Sequence, residues 1–445
     1  MFRKVLMLTA IVLVFSSFEI QAAVVDSNWV GGEEGLWSEA NNWDPAIVPD
    51  NNGPNTFAVR IDGGTAGVEV RLQQNRTINR LDTYGEVGLE RRVREEDLVL
   101  ALEEDLDLTL RVLESNNGLT NHGFLDIEDV IISGDVLNAS GAYLEGGEVD
   151  ITDGNLLNES GARINCSEHY LDVHNGSIYS YGSIVSGPAG GPWAEYELQN
   201  FDVIEIYGGL CSSDQALTNE STGVIKGFGT LFSEEMIQNK GKIHAYGGSL
   251  AVGIEGALIN TGILANMPPS LLHIKPAEDL NNQGTIQVFP GGGIGIDCNL
   301  VNEPSAVIEL LGGTLAAPNI TQKAGATFEG FGTIAVADEI LIESGAKIEL
   351  TGPTNIVGDV NIPASATLEI SDGQTLITGH TTCDGTIHLI GGTVIFQGGC
   401  DCDDCNIINE AGIDRNHFDI NADGIENFED FADFANTWLW KASWY

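Results

Sequence analysis

The sequence predicts an all-β fold, a right-handed parallel β-solenoid followed by a small C-terminal loop-helix, and three observations predict it. Asparagine recurs at intervals of 17 to 25 residues from Asn121 to Asn319. Short runs of alternating apolar and polar residues end repeatedly in Gly-Gly, as in Lys-Ile-His-Ala-Tyr before Gly247 and Val-Ile-Glu-Leu-Leu before Gly312. Near the C-terminus, oxygen-bearing side chains gather at fixed spacing between Asp419 and Asp430, and an apolar stripe of helical period follows them.

The first element is residues 1–22. Arg3 and Lys4 precede an uncharged apolar run from Val5 to Phe18, and Ala22 or Ala23 offers a small residue for cleavage. This is the pattern of a secretory signal peptide, and the run is short for a bilayer span. A secreted protein, extracellular or held at the cell surface and with no transmembrane segment after cleavage, is expected.

Residues 23–94 follow as a Trp- and Gly-rich cap with the first strands. Trp29, Trp37 and Trp43 sit among glycines, with Pro45 and Pro49 close behind. Exposed indole faces would stack on sugar rings. Buried ones would close the first coil, which otherwise exposes apolar core and unpaired strand edges.

With 65 acidic against 19 basic residues, the chain carries a formal charge of −46. Nucleic acid and anionic membrane surfaces are excluded as partners, while cations, basic proteins and neutral glycans fit. Arg91, Arg92 and Arg94 stand among Glu90, Glu95, Glu96 and Asp97, which makes that stretch a solvated ion-pair surface.

Residues 95–399 carry the repeat. Asn-Lys-Gly at 239, Asn-Thr-Gly at 260 and Asn-Gln-Gly at 282 alternate with Asn-Ala-Ser-Gly at 138 and Asn-Glu-Ser-Gly at 158; Asn175, Asn200, Asn219, Asn302 and Asn319 fill the gaps. A period of about 20 residues made of strands and turns fits one solenoid coil, which cannot bury its apolar face alone and needs its neighbours. On this count the segment holds about 15 coils. Asparagines at one turn of each coil would stack into a hydrogen-bonded ladder, giving them a structural role. Gly-Phe-Gly-Thr-Leu at 227, Gly-Phe-Gly-Thr-Ile at 330 and Glu-Ser-Gly-Ala-Lys-Ile-Glu-Leu at 343 resemble bacterial autotransporter-passenger and pectin-lyase-like β-helices. The Trp-rich segment before them looks like the entry module of exported β-helical repeat proteins.

Residues 400–413 form a Cys/Asp-rich linker. Cys400, Cys402 and Cys405 suit a disulfide in an oxidising compartment better than a metal site, while Cys166, Cys211 and Cys298 fit buried free thiols.

The last element is residues 414–445. From Asp419 the chain reads Asp-Ile-Asn-Ala-Asp-Gly-Ile-Glu-Asn-Phe-Glu-Asp, with oxygen ligands at loop positions 1, 3, 5, 9 and 12 and glycine at 6. Calcium wants six to eight oxygens, so Asp419, Asn421, Asp423 and Asp430 would ligate through side chains and Ile425 through its carbonyl. Asn427 would bind directly or through water. Phe428, Phe431, Ala435, Trp438 and Leu439 place the last ligand on an amphipathic helix. This EF-hand-like loop-helix resembles the repeat of type I dockerins, sharing Asp in the final position, with one copy present and Glu426 at position 8. The resemblance implies calcium as cofactor and a cohesin-like partner.

No catalytic or organic-cofactor residue is assigned. The clustered Asp, Gly-His-Gly and Arg-x-Lys signatures that β-helical polysaccharide hydrolases resemble one another in are absent, as is a Gly-x-Ser-x-Gly elbow. Eight histidines are scattered without metal spacing. The expected function is a non-catalytic extracellular β-solenoid for adhesion or assembly, binding an extracellular polysaccharide or surface protein. The alternative is a polysaccharide hydrolase or lyase of the pectin-lyase-like type.

Overall fold

The structure, a computed structural model, describes residues 24–32, 34–49, 56–71, 76–78, 80–90, 110–112, 119–121, 124–168, 170–402 and 405–410. The signal peptide, the Arg91 to Asp97 stretch and the C-terminal loop-helix lie outside these residues. The chain divides into two compact units between Asp202 and Val203, each a stack of short parallel strands. Among the described residues the only helical element is the 3-10 turn Ala40–Asn42, and no helix is long and apolar enough to cross a membrane.

In the first unit the strand Val24–Trp29 pairs antiparallel with Trp43–Asp44 and parallel with Thr56–Arg71. Trp37 and Trp43 are 0% and 2% exposed and meet edge to face at 4.6 Å. The Trp43 indole N–H donates to the Trp37 carbonyl at 2.8 Å, and that of Trp37 donates to the Pro49 carbonyl at 3.0 Å. These two rings fill the entry of the unit, and their faces are closed to any sugar. Parallel pairing then runs from Thr56–Arg71 to Arg80–Glu90, and from Phe124–Ser133 through Tyr143–Thr152 to Tyr170–His174.

In the second unit the inward side of the stack is aliphatic. Ile204, Ile225, Ile243, Leu264, Ile286 and Ile308 succeed one another in register, each fully buried. Burying each such side chain contributes about 1.5–3 kcal/mol relative to leaving it in water. Alternation within a strand sends the intervening residues outward.

Beside this core runs the amide ladder. The Nδ2 of Asn219, Asn239, Asn260 and Asn282 each donates to the Oδ1 of the next rung, at 2.9, 2.8, 2.7 and 2.8 Å, and Asn302 donates to Gln322 at 2.8 Å. Each also reaches the carbonyl of the residue entering the following strand, as Asn239 does with Ile263 at 3.0 Å. In the first unit Asn138 donates to Asn158, and Asn158 to the Ser180 hydroxyl, at 2.9 and 3.1 Å. Two expected rungs fall elsewhere. Asn175 lies on an exposed turn with φ of 52° and bonds Asp153, while Asn319 bonds Asn299 at the surface; Ser180 and Gln322 occupy the rungs instead. Spacing alone cannot separate a buried amide from a turn amide three to five residues away, because either type suits Asn.

The Asn-x-Gly motif has a steric cause. A Cβ on Gly262 would overlap the Gly241 carbonyl of the neighbouring coil, and one on Gly284 would overlap Gly262. Glycine lets the short turns nest directly. Lys240, in one of these turns, is tied to Glu220 at 2.9 Å rather than free in solvent.

Beyond Gln322 the ladder position is taken by Ile342, and farther along Ile362 aligns with buried Cys383. Cys383 pairs with Cys405, and Cys400 with Cys402. The Cys400–Cys402 bridge is the one expected among the last three cysteines; Cys383 joins the cluster because its strand pairs with Cys400–Asp401. Cys166 and Cys211 are buried free thiols and Cys298 is half-buried.

The ladder yields a prediction. Asn260→Leu leaves the Asn239 amide without its side-chain acceptor and should cost about 2 kcal/mol, whereas Asn319→Ala, whose half-buried turn bonds can be replaced by water, should cost less, about 1 kcal/mol. Denaturant unfolding of both variants checks this.

Candidate functional site

Outward positions of the second unit carry the distinctive surface. Glu205, Lys226 and His244 lie in register on three successive coils. Lys226 Nζ meets Glu205 Oε1 at 2.8 Å. That hydrogen bond holds the Lys226 ammonium above its usual range, against the opposing effect of burial. Burial lowers the His244 imidazole, and repulsion from Lys226 and Lys242 adds to it.

Aromatic rings border this row. Tyr207 and Tyr246 are 41% and 57% exposed, and Phe228 stands in register with Tyr207, ring centroids 6.3 Å apart. Phe228 is turned outward by its glycines. The register slips between Gly227 and Gly229, and a Cβ on Gly227, which has a φ of 129°, would overlap the Ile206 carbonyl. The ring then lies over Gly248, where a Cβ would come within 2.9 Å of the Phe228 Cβ. Gly330-Phe331-Gly332 repeats the device and leaves Phe331 40% exposed. Near it a shallow groove of about 420 Å³ is lined by Leu271, Gly292, Gly293, Gly313 and Thr314 among others, with no ionisable side chain in its walls. The Gly-Phe-Gly motif thus signalled, in addition to fold, where aromatic rings leave the core.

Farther along, the same outward row becomes acidic: Gln287, Glu309, Glu329, Glu349 and Glu369 follow in register and end at His388. Lys347 bridges Glu349 and Glu369 at 3.0 and 2.7 Å, and His388 Nδ1 lies 3.1 Å from Glu369. Against burial, which pushes it up, Lys347 and His388 hold the Glu369 carboxyl below its usual range.

In the first unit Tyr170, Tyr181 and Tyr196 are exposed, and Tyr181 stacks on Phe201 at 4.2 Å. One group of side chains among the described residues gathers potential metal donors, Asp150, Asp172 and His174, with one ligand atom of each within 4.8 Å of the others. No motif announces it, because Asp150 is brought to Asp172 and His174 by strand pairing and not by spacing. The expected calcium ligands Asp419, Asn421, Asp423, Ile425, Asn427 and Asp430 all lie outside the described residues.

His244 gives a pH prediction. Its folded pKa lies below the ordinary value of about 6.5, so the folded chain binds fewer protons and loses stability as pH falls below that value. His244→Gln removes the penalty. Thermal unfolding at pH 7.5 and pH 5 should shift in favour of the variant at the lower pH; a difference independent of pH contradicts the assignment.

Comparison of this chain with protein-family models, curated proteins and solved structures finds no match. The resemblances to β-helical and dockerin families therefore rest on the motif residues quoted above.

Proposed function

We propose that this chain is a secreted, non-catalytic β-solenoid that binds a neutral extracellular polysaccharide through its outward aromatic residues and engages a partner through a calcium-binding C-terminal segment. The observation that carries the first part is the set of exposed rings Tyr207, Tyr246 and Phe331, with Phe228 half-exposed among them, and next to Phe331 a groove whose walls hold no carboxylate. Rings that a solenoid could have turned into its core stand in water, which marks a contact surface. A flat sugar face suits them, and neutral glycans suffer no repulsion from a chain of charge −46. The Cys383–Cys405 bridge supports an oxidising, extracellular setting.

The polysaccharide-active alternative is favoured by one observation, the adjacent carboxylates Asp150 and Asp172 on an outward face. A polysaccharide panel followed for both polymer length and protein retention separates the two. Retention with intact polymer is expected. Tyr207→Ala and Tyr246→Ala should each weaken retention up to about tenfold, the equivalent of one ring contact, and shortened polymer overturns the non-catalytic reading. For the tail, Asp419→Ala or Asp430→Ala should abolish calcium binding in calorimetry; unchanged affinity in both refutes the ligand assignment.

A further inference from the structure

From Asp150, Asp172 and His174 we infer that the first unit holds a site for a divalent first-row transition metal, tested here as zinc. The inference is independent of the polysaccharide and calcium proposals, since it concerns other residues and another class of ion.

Asp150 lies on Tyr143–Thr152 and Asp172 and His174 on Tyr170–His174, strands paired in parallel with Asp150 opposite Asp172 and Thr152 opposite His174. Alternation puts all three side chains on the outward face, and all three are half-buried. Two carboxylates directly opposed across a strand pair repel each other. A cation held between them turns that cost into a favourable interaction, and the third donor is an imidazole.

The separations suit chelation better than direct pairing. His174 Nε2 stands 4.0 Å from Asp150 Oδ1, too far for a hydrogen bond. Donors sharing one ion at about 2.0–2.2 Å each are about 3–4 Å apart, so a small inward adjustment of the side chains closes the site. The Trp193 ring meets the imidazole edge to face at 4.9 Å, and Trp193 is in register with Asp172 on the next strand. It forms a wall on one side of the cluster and restrains the His174 ring. The ligand set selects the ion: a nitrogen donor with two carboxylates suits zinc and its first-row neighbours, while calcium prefers oxygen alone. Three protein ligands leave a fourth position for water.

The test uses the full-length secreted protein in excess calcium, so that the tail site is occupied, and titrates zinc by calorimetry with cobalt absorption as a second readout. One zinc per chain is expected at this site. Asp172→Asn and His174→Gln should each weaken zinc binding by more than about tenfold, since even loss of a group behind a ligand costs that much. Glu255→Gln, an exposed carboxylate of the second unit, should leave it unchanged. Thermal unfolding of the metal-free variants beside the parent separates loss of a ligand from loss of fold, since a folded variant that no longer binds zinc has lost the ligand alone. Absence of zinc binding, affinity unchanged from the parent in both ligand variants, or an equal loss in Glu255→Gln overturns the inference.

Discussion

Strand register is the constraint on which everything else in this molecule depends. Each strand finds its partner one coil away, and a slip of one residue would send every inward aliphatic group to solvent and every outward charge into the core. Aliphatic packing alone resists such a slip only through shape. The buried amides resist it chemically. Asn239 donates at once to Asn260 and to the Ile263 carbonyl, and a displaced strand would leave both acceptors unmet inside the stack. Low dielectric around the ladder raises the cost of a missing bond and strengthens those that are made.

With register fixed from inside, the outward positions are free to carry chemistry, and each residue gains neighbours one coil away that sequence does not place beside it. Glu205 meets Lys226 because their strands pair, and Asp150 meets Asp172 for the same reason. The Gly-Phe-Gly bulges add a second freedom. They open the turn locally and lift a ring out of the strand, and the pairing with the coil on either side slips in register at the same point.

Much of this was legible in the sequence. The period, the strand alternation and the ladder all follow from Asn-x-Gly recurring with glycine where coils nest. What escaped were the substitutions that geometry tolerates. Ser180 can accept a hydrogen bond from Asn158 and Gln322 can reach where Asn would, so neither announces itself as a rung, while Asn175 and Asn319 advertise a role they do not have. The metal-donor cluster was invisible for a different reason. Asp172 and His174 share a strand but lie 22 and 24 positions after Asp150, an interval set by the coil between them and not by any local motif. The aromatic surface stood in plain view at Phe228 and Phe331, but the direction in which those rings point is decided by a bulge that only the paired strands reveal.

The row of glutamates from Glu309 to Glu369 has a consequence of its own. Neighbouring carboxylates stand about one strand spacing, ~4.8 Å, apart, well inside a Debye length of about 8 Å at physiological salt. Screening by added salt relieves the repulsion between Glu309 and Glu329, whereas Glu349 and Glu369 are already bridged by Lys347. The Glu205–Lys226 pair obeys the opposite rule and loosens under the same treatment. One row of outward side chains thus holds a carboxylate pair that salt relieves and bridged pairs that salt weakens.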